Sequence, residues 1–359
     1  MKARDHGSER LAVSCDGVPL GLIEQRFWTR KPVKARTHTE TVARNRKRRF
    51  SEKEPYGYVR VAKKAAKLLR DVGVEPWIVI DRIADNADVL SALDKLGRFT
   101  ARGGRERILS PRGAPSLHTS LDRAPSLGNH VVSIGRSGCR AARTATVDVR
   151  ATAVQLPLRK NQVQIGSLSL YAVRLREART QGLEWLLYTN RPIVTVDDAR
   201  DLIASYEARW RVEEFHKTWK SGQCNVEDAQ LRSKNAVIKW ATVLAAVATR
   251  IERIKYLSRT TPDESASLEL GADEIEALKL DRNRRRKQSR RATAEPALAD
   301  SLSIGEATRW IAELGGWVRQ RTSPPGSIVL ARGLERLAWL VEGIAIARHP
   351  PSANGRRLT

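Results

Sequence analysis

Cysteine, methionine and aromatic residues are scarce in this chain of 359 residues, which has three cysteines, one methionine and 5% aromatic residues. Cys15, Cys139 and Cys224 lie far apart and form no C-x-x-C pair. The six histidines likewise lack the H-x-x-x-H spacing of metal ligands. These absences argue against a disulfide scaffold or a zinc site, and they favour a reducing, cytoplasmic environment.

Long apolar runs are also lacking. The charged segment 1–10 has no hydrophobic stretch behind it, so no signal peptide is predicted. A membrane-spanning helix needs about 18 or more apolar residues. The nearest candidate, 236–248, is interrupted by Lys239 and followed by Arg250. We therefore expect a buried helix at this position and no membrane partner.

Acidic residues are outnumbered, because 40 Asp and Glu face 65 Lys and Arg and the formal net charge is +25. Hydrophobic residues make up 41% of the chain, enough for a packed core, which argues against a mostly disordered basic tail. Such an excess indicates a polyanionic partner, nucleic acid ahead of an anionic membrane, although genomic base bias is an alternative cause. The basic stretches 44–49 and 282–291 are expected in loops, either solvated or in contact with phosphates.

The first hundred residues predict an α/β core. Asp16-Gly17 between two mostly apolar runs predicts a β-hairpin. Helical spacing follows over 58–72, and the continuous apolar run 77–80 is typical of a strand buried on both faces. This strand ends at Asp81, at the edge where open α/β sheets have their sites. A further helix and strand are predicted at 87–96 and 98–101.

The rest of the chain divides into a β-rich part and a helical part. Residues 103–180 are rich in Gly, Ser, Pro and Arg with short alternating runs, which predicts a β-rich insertion, and a strand is expected at 184–188. A long helix is predicted from Thr195 to about Ser221, where Gly222 ends it. Further helices are predicted at 236–257, from 303 to 314 and at 334–347.

One face of the long helix carries four chemically distinct groups. Arg209, Glu213 and Lys220 follow Tyr206 by 3, 7 and 14 positions, so at about 100° per residue all four fall within an arc of about 60°. Lys217 widens the same stripe. A carboxylate can hold a divalent cation, and Arg, Lys and Tyr can bind phosphate. The alternative is an exposed helix with an ordinary i, i+4 ion pair.

The sequence around this helix resembles that of a known family. Residues 206–222, YEARWRVEEFHKTWKSG, resemble the Y-x-x-R-x-x-x-E-x-x-x-x-x-x-K signature of bacterial cut-and-paste transposases of insertion-sequence family four, which includes the transposase of transposon five. Residues 79–85 look like the family's second-Asp segment, and 184–189 look like the segment before the signature. Gly315-Gly316-Trp317 and the last helix resemble the family's C-terminal dimer region. The resemblance extends from about residue 10 to 347.

The resemblance implies a ribonuclease-H-like α/β core with a β-rich insertion, a helical C-terminal region, and a DDE triad that holds two Mg²⁺ or Mn²⁺ ions. Asp81 and Glu213 would be catalytic metal ligands. Trp185 would stack on a flipped base, and the phosphate strand would be bound by Tyr206, Arg209, Lys217 and Lys220. The implied partners are double-stranded DNA, at transposon ends and target, and a second copy of the chain bound through the C-terminal region.

The resemblance also implies that the chain is divided into six consecutive parts. It comprises a hairpin and basic loop of the core (1–54), an αβαβ part with the second catalytic Asp (55–102), a β-rich insertion (103–193), the signature helix and a core helix (194–258), a basic linker (259–300) and a helical dimerisation region (301–359).

The family's first Asp, its strand and the N-terminal DNA-binding region have no counterpart in the sequence. Asp16 is expected to be a turn residue and Asp85 a structural one. We therefore expect an N-terminally truncated transposase that is inactive alone. The alternatives are a DNA-binding or dimerising fragment that inhibits intact transposase, and a structure-specific nuclease that draws its third carboxylate from elsewhere.

Overall fold

The computed structural model describes residues 5–29, 37–82, 85–135, 141–160, 163–179, 182–288, 301–318 and 324–349. It divides into two compact units. The first comprises residues 1–10 and 23–210, and the second comprises residues 11–22 and 211–359.

The chain begins with the predicted hairpin, formed by β1 (Asp5–Val13) and β2 (Pro19–Thr29) as a separate two-stranded sheet. Gly17 has a φ of +84°, which a turn here requires and which side chains with a Cβ adopt rarely. The tip of the hairpin belongs to the second unit, where the Tyr256 hydroxyl donates a hydrogen bond to the Asp16 carbonyl at 2.5 Å.

The first unit is built on a six-stranded mixed sheet with the order β3-β4-β8-β7-β6-β5. The strands β3 and β4 are parallel, and the other neighbouring pairs are antiparallel. The predicted β-rich insertion is therefore continuous with the core sheet, because its last strand pairs with β8, which in turn pairs with β4. The strands are β3 (Trp77–Ile80), β4 (Arg98–Gly103), β5 (Ser126–Ile134), β6 (Arg143–Lys160), β7 (Val163–Glu177) and β8 (Glu184–Thr189).

Helices cover both faces of this sheet. On one face, Phe99 and Tyr188 pack with buried residues of α2 (Pro55–Arg70), α3 (Ala87–Asp94) and α4 (Leu117–Arg123). On the other, Leu187 packs with the apolar face of α5 (Val196–Ala208). Side chains alternate between the two clusters along β8, so the observed architecture is a mixed α/β unit, as the sequence predicts.

The second unit is helical. Buried residues of α7 (Lys234–Thr260), α8 (Ala272–Gln288), α9 (Ile304–Leu314) and α10 (Ser327–Arg348) form its core. Gly315 and Gly333 lie where α9 and α10 approach each other, and a Cβ on either would overlap a carbonyl oxygen of the opposite segment. None of the described helices is long and apolar enough to span a bilayer.

Two basic stretches differ from the sequence-based prediction of loops. Helix α1 (His38–Lys47) runs through part of 44–49 and begins with a capping box between Thr37 and Glu40. The predicted linker 259–300 contains α8, which holds residues 282–288, whereas 289–291 lie outside the described residues. Acidic residues in the first turn of α8 and basic residues in its last turn complement the helix dipole. Apolar periodicity is weak in both segments, and the sequence-based reading therefore missed them.

Candidate functional site

Asp81 follows β3 directly and lies at the carboxyl edge of the parallel pair β3–β4, as the sequence predicts. Its Oδ1 accepts a hydrogen bond from the backbone N–H of Arg82 at 2.7 Å, and 38% of the side chain is exposed. Asp85 is buried and accepts hydrogen bonds from the Gly104 N–H at 2.8 Å and from the Arg107 guanidinium. These hydrogen bonds support the structural role predicted for Asp85. Of these two acids, Asp81 is the one that solvent can reach.

Tyr206 brings its hydroxyl to this acid from the last turn of α5. Its oxygen lies 3.5 Å from Asp81 Oδ1, although 125 positions separate the two residues in sequence. The helix is fixed on the sheet by a hydrogen bond of 2.8 Å between the hydroxyls of Thr100 and Ser205. Trp77 donates its Nε1–H to the same Thr100 oxygen at 2.8 Å. Polar contacts from β3 and β4 therefore determine where Tyr206 lies.

Arg209 joins the same group from the end of α5. Its Nη1 lies 3.7 Å from Asp81 Oδ2, and its guanidinium carbon lies 5.8 Å from the centre of the Tyr206 ring. The edge of the sheet thus brings together three of the predicted site residues, a carboxylate, a phenol and a guanidinium.

Trp185 extends the cluster from β8. Its ring meets that of Tyr206 edge-to-face, with 5.1 Å between ring centres. This contact fixes the indole beside the phenol, and the structure therefore places the residue predicted to stack on a base next to the predicted phosphate-binding residues.

Arg102 is a member of this cluster that the sequence-based reading missed. Its Nη1 lies 3.3 Å from the Tyr206 hydroxyl, and its guanidinium carbon lies 5.9 Å and 5.8 Å from the ring centres of Trp185 and Tyr206. The sequence carries no signal for it, because its place beside Asp81 follows from how two strands pair. Ile80 pairs with Ala101 in the parallel register, so Asp81 and Arg102 each follow by one residue at neighbouring strand ends.

Glu213, Lys217 and Lys220 lie in the second unit, where α6 (Trp210–His216) is followed by a π-helix, Lys217–Ser221. Lys217 is exposed, whereas Glu213 and Lys220 are half-buried. The buried Trp219 stacks on Phe215 with 5.6 Å between ring centres and donates its Nε1–H to the Ala241 carbonyl at 2.9 Å. Packing on α7 thus fixes the segment that carries these three residues.

The predicted single helix from Thr195 to Ser221 is interrupted. The α5 helix ends at Ala208, and the Arg209 N–H donates to the Tyr206 carbonyl three residues back rather than four. The last turn before Gly222 is wider than an α-helical turn. The predicted 60° arc assumed a regular α-helix and does not describe this segment, in which Tyr206 and Arg209 belong to one unit and Glu213 to the other.

The charges around Asp81 favour an anion more than a cation. Within the first unit, two guanidinium groups, of Arg102 and Arg209, surround a cluster with one carboxylate. In the part of the chain that the structure describes, no three His, Cys, Asp or Glu side chains are grouped to hold a metal ion. Two adjacent divalent ions require several carboxylates, so the single carboxylate that the first unit brings to this cluster does not by itself make a two-metal site.

Comparison with known protein families identifies the domain that carries these residues. Residues 59–250, more than half of the chain, match the family model described as a transposase DDE domain. The matched region begins within α2, ends within α7 and contains every residue discussed above for the site.

Proposed function

This chain belongs to the family of proteins with a transposase DDE domain, and we propose that it binds double-stranded DNA at the ends of a cut-and-paste transposon of insertion-sequence family four. In this proposal the six-stranded sheet with its flanking helices is a ribonuclease-H-like core. Tyr206, Arg209, Lys217 and Lys220 contact the phosphate strand, and Trp185 stacks on an unpaired base.

The observation that carries the proposal is the cluster at the carboxyl edge of β3 and β4. A guanidinium can bind a phosphate through two parallel hydrogen bonds, and a phenol can donate one more. Arg209 and Tyr206 lie 5.8 Å apart, measured from the guanidinium carbon to the ring centre, close enough to reach neighbouring oxygens of one phosphate. The adjacent indole offers a flat apolar surface to a base.

Titration of DNA binding with salt tests this assignment. The salt slope, meaning here the magnitude of the negative slope of log K against log[salt], falls by about 0.9 for each lost phosphate contact. We expect R209A to lower the slope by about that amount in fluorescence anisotropy with labelled double-stranded DNA. R200A is the matched control, because Arg200 lies on the same helix and pairs with Asp197 in solvent. Equal slopes for R209A and the wild type would contradict the assignment of Arg209.

Strand cleavage and transfer are the reactions that the family carries out, and we propose Asp81 and Glu213 as the two acids of this chain that would serve them with Mg²⁺ or Mn²⁺. Because the first unit brings a single carboxylate, Asp81, to this cluster, we propose that the chain alone does not cleave DNA. Purified protein with transposon-end DNA and Mg²⁺ or Mn²⁺ should give no nicked product. Metal-dependent nicking by the wild type, abolished by the D81N substitution, would contradict the proposed inactivity.

A second candidate function is inhibition of an intact transposase by a copy that binds DNA without cutting it. The observation that favours it is the position of Asp81, whose two carboxylate oxygens face a phenol and a guanidinium. Addition of this chain to an active relative should reduce excision in proportion to the amount added. If excision by the relative stays undiminished when this chain is present in excess, this candidate is eliminated.

Assembly into a homodimer through the C-terminal region is part of both candidates. Trp339 and Ile346 of α10 are large apolar residues with 67% and 56% of their surface exposed. Their positions seven residues apart place them on one side of the helix. Light scattering should show a dimer that W339E converts to a monomer, and a monomeric wild type would contradict the proposal.

A further inference from the structure

Two charged side chains of α7 are buried in the second unit, since Glu252 is 2% and Lys255 9% exposed. Glu252 Oε1 accepts hydrogen bonds from the hydroxyls of Thr218 at 2.5 Å and Ser327 at 2.8 Å. Lys255 forms an ion pair with Oε2 of Glu252, and its Nζ lies 3.5 Å from Glu214 Oε1. Desolvation offsets most of the attraction in a buried ion pair. The main consequence of this network is therefore the geometry that it fixes.

The network continues along α6. Glu214 Oε2 pairs with the Arg211 guanidinium at 2.5 Å, and the Arg211 guanidinium carbon lies 4.3 Å from the centre of the Tyr256 ring. Tyr256 in turn binds the Asp16 carbonyl at the hairpin tip. Contacts with α7 therefore hold both ends of the segment 211–218.

The residues held by α7 lie on one side of this segment, and the predicted functional residues lie on another. Within α6, at about 100° per residue, Arg211 and Glu214 project about 160° and 100° from Glu213. In the π-helix that follows, Lys217 is exposed, whereas its neighbour Thr218 is buried. Contacts on the inner side thus fix the backbone that carries Glu213 and Lys217.

We propose that Thr218 and Glu252 are positioning residues, whose hydrogen bond fixes the start of the π-helix so that Lys217 points at a DNA phosphate. The inference rests on the proposed DNA-binding function and extends it to two residues outside the signature's functional positions. A π-helix is rare and recurs at functional sites. The buried bond between the Thr218 hydroxyl and Glu252 ties the start of this π-helix to α7.

Valine has nearly the shape of threonine but no hydroxyl, so T218V removes the bond and retains most of the packing. We expect K217A and T218V each to lower the salt slope of binding to labelled double-stranded DNA of mixed sequence by about 0.9. The double variant should show one loss of about 0.9 and not two, because Thr218 acts through Lys217. T218S, which keeps the hydroxyl, should retain the wild-type slope.

T308V is the matched control, because Thr308 is an equally buried threonine of the same unit whose hydroxyl bonds to the Ile304 carbonyl. Its slope should equal that of the wild type. Thermal unfolding of each variant monitors folding, and T218A replaces T218V in every comparison if the latter does not fold.

Two results would overturn the inference and leave the proposed function standing, provided that K217A lowers the slope. One is a wild-type slope in T218V, and the other is an additive loss in the double variant. A wild-type slope in K217A would instead refute the DNA contact of Lys217, and the positioning role with it.

Discussion

Arg102 offers the sharpest test of the cluster, because no signature of the sequence includes it. Its guanidinium lies 3.3 Å from the Tyr206 hydroxyl and within 6 Å of the ring centres of Trp185 and Tyr206. Replacement by alanine removes two hydrogen bonds, to the Tyr206 hydroxyl and the Glu184 carbonyl, and two cation–π contacts. It also removes positive charge from the edge of the sheet that carries Asp81.

The expected loss of stability is modest. A partly exposed cation–π contact contributes about 0.5–1 kcal/mol. The two hydrogen bonds, at 3.3 Å and 3.4 Å, are longer than the usual 2.7–3.2 Å and together contribute at most about 0.5 kcal/mol. R102A should therefore lower the free energy of unfolding by about 1–2.5 kcal/mol. Its effect on DNA should be clearer, a decrease of about 0.9 in the salt slope, because one phosphate contact is lost.

Urea unfolding and anisotropy titrations at several salt concentrations measure the two effects. R98A is the matched control, because Arg98 begins the same strand and lies about 13 Å from Arg102 at about 3.3 Å per residue. R98A removes the same charge, so it should weaken binding only through net charge and leave the slope near that of the wild type. An R102A slope equal to that of R98A would refute the placement of Arg102 in the DNA-binding cluster.

Two further predictions concern stability. G333A should lower the free energy of unfolding, measured in urea, by about 1–3 kcal/mol, because its Cβ would overlap the Ile311 carbonyl. A Cβ at Gly343 on the same helix meets no atom within 4 Å, so G343A should be neutral or stabilising. Equal effects of the two variants would contradict the close approach of α9 and α10. The Arg143 guanidinium and the Leu183 N–H lower the pKa of Glu177 from 4.5 to about 2, so this carboxylate contributes stability above about pH 4.5 that is lost as the pH falls towards 2. Thermal melts over this range should show a weaker pH dependence in E177Q, and an unchanged dependence would show that Glu177 is not the group responsible.

Much of the site was predictable because its signals are local. A continuous apolar run ending in an aspartate determines both the strand β3 and the edge at which Asp81 lies. The spacing of Tyr206 and Arg209 survives the helix break between them and Glu213, since both residues lie at the end of α5. The family resemblance rests on the same residues, and the match over 59–250 confirms a transposase DDE domain.

The sequence could not predict how the β-rich insertion pairs. Alternating residues indicate strands, but their partners depend on hydrogen bonds between segments that are distant in the chain. Among the described residues, the pairing of β7 with β8 joins the insertion to the core sheet, and the register of β3 with β4 brings Arg102 level with Asp81.

By itself, the sequence determined the chemistry of this protein: a cationic chain, an α/β core, an aspartate at a strand end, and a signature that carries Tyr206, Arg209 and Glu213. Tertiary structure alone decided which groups meet and how the signature segment bends. Residue type and spacing set local backbone preference. The π-helix occurs where Thr218 and Trp219 bond to α7, and no periodicity within the segment predicts such contacts.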